Sequence, residues 1–368
     1  MTKILASPTR YLQGKGLLKQ LAAHITAIGS HPIIIVDKNI IPIVMPFVQA
    51  SMENTGLNYD AVEFAGECCM SEINRIQEVI AAHEADIIIG IGGGKTLDTT
   101  KAVGYYATKP IAIIPTVASS DAPCSSLSVL YSEDGAFDKY LYLPKSPDMV
   151  LVDSEIIAGA PARLLAAGMG DALSTYFEAR ACFQSGAKNA FHARPPRSAL
   201  ALAKACYDTL LEYGVAAMDT IKEKQCNEAV ENIIEANIYL SGIGFESGGL
   251  AAAHAIAYAM DAIPATRKLM HGEKVAFGTL VQLELELAAA HASSLTLQDE
   301  IHEATGFYKF VGLPVSLADM GVYEITQKEL MQIAEKACAP DSTIHNMPFP
   351  VTVKDVYAAV SKLSLPRN

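Results

Sequence analysis

The segment Asp86 to Lys101, DIIIGIGGGKTLDTTK, restricts the fold more than any other stretch. Ile87, Ile88, Ile89, Gly90 and Ile91 read as a strand buried on both faces, and such strands belong to parallel sheets covered by helices. Gly92, Gly93 and Gly94 follow, then Lys95, Thr96 and a helical spacing of Leu97, Lys101 and Ala102. Glycine leaves bare backbone, and N–H groups at the start of a helix bind phosphate oxygens. Two familiar phosphate loops fail by position: a Walker A loop needs glycine where Ile89 stands, and a GxGxxG fingerprint from Gly90 needs one where Lys95 stands. The loop reads as a pyrophosphate binder of another type. A plain strand-to-helix turn is the alternative, and it rarely needs three glycines and a lysine.

The flanking pattern agrees. Pro32 to Asp37 (PIIIVD), Ile111 to Ile114 before Pro115 and Thr116, and Met149 to Asp153 (MVLVD) are further apolar runs separated by helical stretches. This alternation predicts an α/β domain over residues 1–160, with ligands at the carboxyl ends of its strands. Asp37, the glycines and Thr116 all fall at such ends. From Pro161 the texture turns helical and no convincing strand returns, so residues 161–368 read as an all-α domain. A length of 368 residues suits two domains, and a hydrophobic fraction of 51% suits a large core.

Charge and cysteines exclude several classes. A net charge of −12, dispersed along the chain, argues against nucleic acid as a partner. No apolar stretch is long enough to span a bilayer and the N-terminus lacks a signal-peptide core, so the expected location is the cytoplasm with no membrane partner. The seven cysteines are scattered without a CxxC, which fits reduced thiols and not a disulfide framework or zinc ribbon.

Three residues of the helical half stand out. Asp171 interrupts an apolar helical face, His254 sits between Ala253 and Ala255, and His271 precedes a helix opening at Gly272. A buried carboxylate among alanines is costly unless paired or metal-bound. Two histidines and an aspartate form a three-ligand set that leaves a fourth position for water or substrate. Core histidines satisfied by hydrogen bonds are the alternative, and spacing alone does not separate the two. The hydroxyl-rich run Pro115 to Tyr131 is equally open. Thr116, Ser119 and Ser125 could bond a nucleotide and Asp121 a substrate hydroxyl, or the run is a turn with Asp121 capping a helix.

The segments YLQGKGLL, FAGECCMSEI, GIGGGKTLDTTKA, PTVASSDAPCSSLSV, APARLLAAGMGDAL, YLSGIGFESGGLAAAHA, MHGEKVAFGTL and TIHNMP together resemble the glycerol dehydrogenases, within the iron-type alcohol dehydrogenase and dehydroquinate synthase-like superfamily. The resemblance implies an N-terminal NAD-binding α/β domain, a C-terminal helical metal- and substrate-binding domain, and a homo-oligomer. It implies that Asp37 meets the adenosine ribose and that the loop Gly92, Gly93, Gly94 and Lys95 holds the pyrophosphate. Thr116, Ser119, Ser125, Leu127 and Tyr131 would line the rest of the NAD site. Asp171, His254 and His271 would bind one zinc ion per chain, Asp121 and His254 would contact substrate, and Phe245 would wall the pocket. The implied reaction is hydride transfer between NAD and a small polyol or hydroxyketone, above all glycerol to dihydroxyacetone. The rivals are a relative acting on another polyol, a ketone or a phosphorylated glycerol, and a nucleotide-binding homologue that has lost catalysis. Asp37 ends its strand where an acidic residue favours NAD over NADP.

The chain departs from the family pattern at the loop Ala190 to Arg197 and, with more consequence, after the zinc histidine. After the zinc histidine the family has histidine, asparagine and glycine where Ala257, Tyr258 and Ala259 stand here. Position 258 lies one turn beyond His254 and shares its face. Tyrosine there predicts a narrower, less polar substrate pocket.

Overall fold

The structure, a computed structural model, describes residues 2–290 and 294–364. The chain divides into two compact units: Ala6–Pro161 with Glu223–Asn227, and Met1–Leu5 with Ala162–Lys222 and Glu228–Asn368.

The first unit is built on a six-stranded sheet. Its strands are β1 (Arg10–Gly14), β2 (Pro32–Asp37), β3 (Asp60–Phe64), β4 (Ile87–Gly92), β5 (Ile111–Pro115) and β8 (Met149–Asp153). All pair in parallel, in the order β1-β8-β5-β4-β2-β3. Strands β4, β5 and β8 are buried along their whole length and β2 is buried up to Asp37, as expected for strands covered on both faces. One side of the sheet packs Ile34, Ile89, Ile114 and Leu151 against Leu21, Val44 and Val48 of neighbouring helices. After β3 the chain returns to the opposite side of β2 to form β4. The carboxyl ends of β2 and β4 therefore flank a topological switch point, where open α/β sheets bind ligands. A separate antiparallel hairpin, β6 (Leu127–Tyr131) with β7 (Phe137–Tyr142), follows β5.

Sequence reading places the four central strands and omits β1, β3 and the hairpin. The omitted segments carry no continuous apolar run. β1 and β3 are the sheet's edges, and β3 alternates exposed and buried positions.

The second unit is helical, and among the described residues it contains no named strand. Three of its helices matter most: Ala162–Ser185, which carries Asp171; Ala252–Ala259, which carries His254; and His271–Ala289, which begins at His271. They approach closely because glycine stands at the contacts. A Cβ on Gly272 would collide with the carbonyl oxygen of Ala167, one on Gly170 with that of Gly272, and one on Gly278 with that of Ala253. The bidentate pair of Arg163 with Glu273, at 2.6 and 2.9 Å, ties the first turns of the Asp171 and His271 helices together. Glu273 also accepts the N–H of Met270 at 2.9 Å, which fixes the entry into the His271 helix.

All seven cysteines are free and five are buried. No helix among the described residues is long and apolar enough to cross a membrane.

The glycine contacts generate a prediction. Gly272→Ala inserts a methyl against backbone that cannot swing aside. It is expected to destabilise the chain by about 1–3 kcal/mol, read as a lower urea midpoint at unchanged slope. An unchanged midpoint would show that the helices do not depend on this contact.

Candidate active site

At the switch point of the sheet, a cavity of about 290 Å³ is lined by Asp37, Lys38, Asn39, Phe64, Gly66, Gly93, Gly94, Lys95 and Thr96. These residues end or follow β2, β3 and β4. The glycines divide the work. A Cβ on Gly92 would lie 2.6 Å from Thr96 Oγ1, and one on Gly90 would overlap Thr100, so these two let the Gly94–Ala107 helix lie close on β4. Gly94 has nothing within 4 Å of where its Cβ would be, and Gly93 only Val117 at 3.9 Å. Their backbone faces open space at the helix N-terminus, where N–H groups and the helix dipole favour an anion.

Asp37 holds the turn after β2, accepting from the backbone N–H and side-chain amide of Asn39 at 2.8 and 2.9 Å. Lys95 pairs with Glu67 at 2.6 Å and lies over the Tyr131 ring, 5.1 Å from its centroid. Burial, with the charges of Asp98 and Glu67, pushes the Tyr131 phenol up to about 12. Thr116 is placed beside the loop by the register of β4 with β5, its N–H donating to the Gly92 carbonyl at 3.0 Å. Ser119 is half-buried in the turn beyond.

Sequence reasoning missed what organises the segment after Thr116. Lys101 is fully buried and its ammonium donates to the carbonyls of Ala122 and Leu127 at 2.9 and 2.6 Å. It also reaches Ser125 Oγ at 3.3 Å and pairs with Asp98 at 3.0 Å. Asp98 in turn accepts the N–H of Val129 at 3.1 Å. One lysine thus pins the turn bearing Ser125 and Leu127 to the Gly94–Ala107 helix. The available signal was a lysine on the otherwise buried face marked by Leu97 and Ala102. Asp121 is buried at the start of the short Ala122–Cys124 helix, and its side chain makes no cap bond to it.

In the helical unit, one ligand atom each from Asp171, His254 and His271 lies within 4.8 Å of the others. Asp171 Oδ1 stands 3.4 Å from His254 Nε2 and 3.4 Å from His271 Nε2. Metal–ligand bonds of about 2.0–2.1 Å meeting at a tetrahedral angle set neighbouring ligands roughly 3.3–3.4 Å apart, so the spacing fits a divalent ion. The other nitrogen of His254, Nδ1, is 2.6 Å from Glu178 Oε2. Such a carboxylate behind a histidine is the usual outer partner of a metal-binding imidazole. Burial opposes ionisation of Asp171, yet the charge of His271 and hydrogen bonds from both histidines hold it below the ordinary carboxylate range. Burial disfavours charge on His254 too, but Glu178 and Asp171 raise it well above its usual value. The buried pocket therefore attracts positive charge.

Asp171 and Glu178 are fully buried, while the His271 side chain is 38% exposed, so the group is approached from the His271 side. Tyr258 stands at that opening. Its ring is 5.9 Å from both histidine rings and stacks on His271 at an interplanar angle of 28°. Phe245 is buried in the Ser241–Gly248 helix. Of the cations near His271, Lys274 is paired with Asp261 at 2.6 Å and Arg267 donates to the Asp261 carbonyl at 3.1 Å. Asp121 belongs to the α/β unit; Asp171, His254, His271 and Phe245 belong to the helical unit.

Residues 8–154 match the family model described as iron-containing alcohol dehydrogenase. A glycerol dehydrogenase of Escherichia coli O6:H1 is 46% identical over 360 residues, 98% of this chain and 96% of the relative. A glycolaldehyde reductase of Halobacterium salinarum is 42% identical over 96% of this chain and 94% of its own. The crystal structure of glycerol dehydrogenase from Schizosaccharomyces pombe superposes with a TM-score of 0.92 at 34% identity, covering 98% of this chain and 90% of that one.

The buried lysine gives the prediction for this region. Lys101→Met leaves Asp98 and two carbonyls without their cation and is expected to cost about 3–5 kcal/mol, the scale for breaking a buried pair by removing one partner. Equilibrium denaturation measures it. A change below about 1 kcal/mol, typical of a surface pair, would contradict the role assigned to Lys101.

Proposed function

The chain belongs to the glycerol dehydrogenase family of the iron-containing alcohol dehydrogenases, and we propose that it transfers hydride between NAD and a small vicinal diol or hydroxyketone, with glycerol and dihydroxyacetone as the leading pair. The observation that carries the proposal is the convergence of Asp171, His254 and His271 with a carboxylate behind His254.

In this reading the α/β unit holds NAD. The backbone of Gly93 and Gly94 receives the pyrophosphate at the helix N-terminus, and Asp37 accepts from the adenosine ribose. Lys95 adds charge beside the loop, and Thr116, Ser119, Ser125, Leu127 and Tyr131 contribute the remaining lining. In the helical unit Asp171, His254 and His271 hold one divalent metal. Two imidazoles and a carboxylate accept zinc and ferrous iron alike. Zinc is proposed because the reaction asks for Lewis acidity without a redox change at the metal. Bound there, the metal supplies that acidity and makes an alcohol hydroxyl easier to deprotonate, while the nicotinamide accepts the hydride. The protein residues orient and exclude. His271 and Tyr258 border the way in, Phe245 walls the pocket, and Asp121 accepts a hydrogen bond from a substrate hydroxyl. The reaction converts alcohol and NAD+ to ketone, NADH and one proton. A cytoplasmic homo-oligomer is the proposed form.

A phosphorylated glycerol is the weaker reading, since two of its three candidate cations, Lys274 and Arg267 but not Lys268, are engaged with Asp261. Loss of catalysis is weaker still, because the three donors remain together.

A steady-state panel tests the proposal: glycerol, propane-1,2-diol, butane-2,3-diol, dihydroxyacetone and glycerol phosphate, each with NAD and NADP. Turnover of the unphosphorylated diols or ketone with NAD is expected, lost on chelation and restored by zinc. An NADP-linked kcat/KM equal to or above the NAD-linked value would overturn the role of Asp37. Turnover unaffected by metal removal would overturn the metal site.

Tyr258 sets the second prediction. It occupies the pocket opening with a ring where the family has a short amide, so a terminal hydroxyl loses a partner there. Tyr258→Asn is expected to raise glycerol kcat/KM relative to butane-2,3-diol by about tenfold, the equivalent of one hydrogen bond to substrate. An unchanged ratio would show that this side chain does not tune the substrate.

A further inference from the structure

Glu178 takes part in no step described above, yet its carboxyl group is fully buried. It lies seven residues after Asp171 on the same helix, hence on the same face. Its Oε2 stands 2.6 Å from Nδ1 of His254. Its Oε1 accepts the backbone N–H groups of Ala251 and His254 at 2.8 and 3.0 Å. The His254 helix has no cap from its own N-cap residue, Ala251. Its remaining first-turn donors, the N–H groups of Ala252 and Ala253, are taken by Gln282 Oε1 at 3.1 and 3.0 Å. The helix start is thus capped from outside by two neighbouring helices, and only Glu178 among these caps also touches the imidazole.

We infer that Glu178 is a positioning residue for His254: one carboxylate oxygen seats the helix start and the other keeps the ring proton on Nδ1, so that Nε2 faces Asp171 and His271 with its lone pair. This rests on the metal reading above. A ring free to rotate, or protonated on the other nitrogen, would present no lone pair to the metal. Outer partners of this kind contribute about 10–100-fold to metal affinity.

The test compares zinc dissociation constants, by competition with a chromophoric chelator, for the native protein, Glu178→Gln, Gln282→Ala and Asp171→Asn. Melting temperatures of the metal-free forms are read alongside. Glutamine at 178 keeps an oxygen for the two backbone donors and removes the charge facing Nδ1. Glu178→Gln is expected to bind zinc about 10–100-fold more weakly with a near-native metal-free melting temperature. Gln282→Ala, which uncaps the same helix without touching the ring, is expected to melt lower and keep native zinc affinity. Native affinity in Glu178→Gln, or an equal loss in Gln282→Ala, would overturn the positioning role and leave the metal reading standing. No zinc uptake by the native protein, or native uptake by Asp171→Asn, would instead overturn the metal reading. A measurement on the native chain needs no variant. With histidine labelled in 15N and zinc bound, an exchange-protected proton on Nδ1 of His254 is expected. An Nδ1 without a proton would overturn the inference.

Discussion

Two carboxylates buried on one helix govern the helical unit. Asp171 and Glu178 are both fully buried and seven residues apart in Ala162–Ser185, and neither charge can be left unanswered in a core. The answer is the His254 ring, one nitrogen toward each carboxylate. The N-terminus of its helix adds N–H donors to Glu178. The glycine contacts then follow as a requirement. His271 reaches Asp171 only because Gly170 and Gly272 allow their helices to approach backbone to backbone, and Gly278 does the same for the His254 helix.

The α/β unit is organised differently, around an open helix N-terminus at the switch point of its sheet. Gly90 and Gly92 bring a helix onto β4, and Gly93 and Gly94 keep its N-terminus open. Among the described residues near it, the buried cation Lys101 is spent on backbone carbonyls and Asp98, so it shapes the turn bearing Ser125 and Leu127. Lys38 and exposed Lys95, the latter held by Glu67 at 2.6 Å, are the cations that line the cavity.

The central strands were legible because both faces are covered, which forces unbroken isoleucine and valine. The edge strands RYLQG and DAVEF answer to one face and a solvent edge, and the sequence reading omits them. Asp171 and the two histidines were legible as polar intruders in alanine-rich helices. Their convergence was not, since it depends on helix contacts between residues far apart in sequence. Glu178 was legible in principle, seven residues from Asp171 on one face, but nothing local marks which of the many helical glutamates is buried. Tyr258 was placed correctly on the His254 face because helical spacing alone determines it. Lys101 shows the opposite case: three of its four oxygen partners lie on a turn that no periodicity reveals.

The central claim is that the buried carboxylates and histidines of the helical unit form one metal site. Anomalous diffraction at the zinc edge, on crystals of the zinc-loaded protein, addresses it most directly. One peak per chain is expected, about 2.0–2.2 Å from Asp171 Oδ1, His254 Nε2 and His271 Nε2. Zinc bound elsewhere, or no peak among these three atoms, would contradict the account.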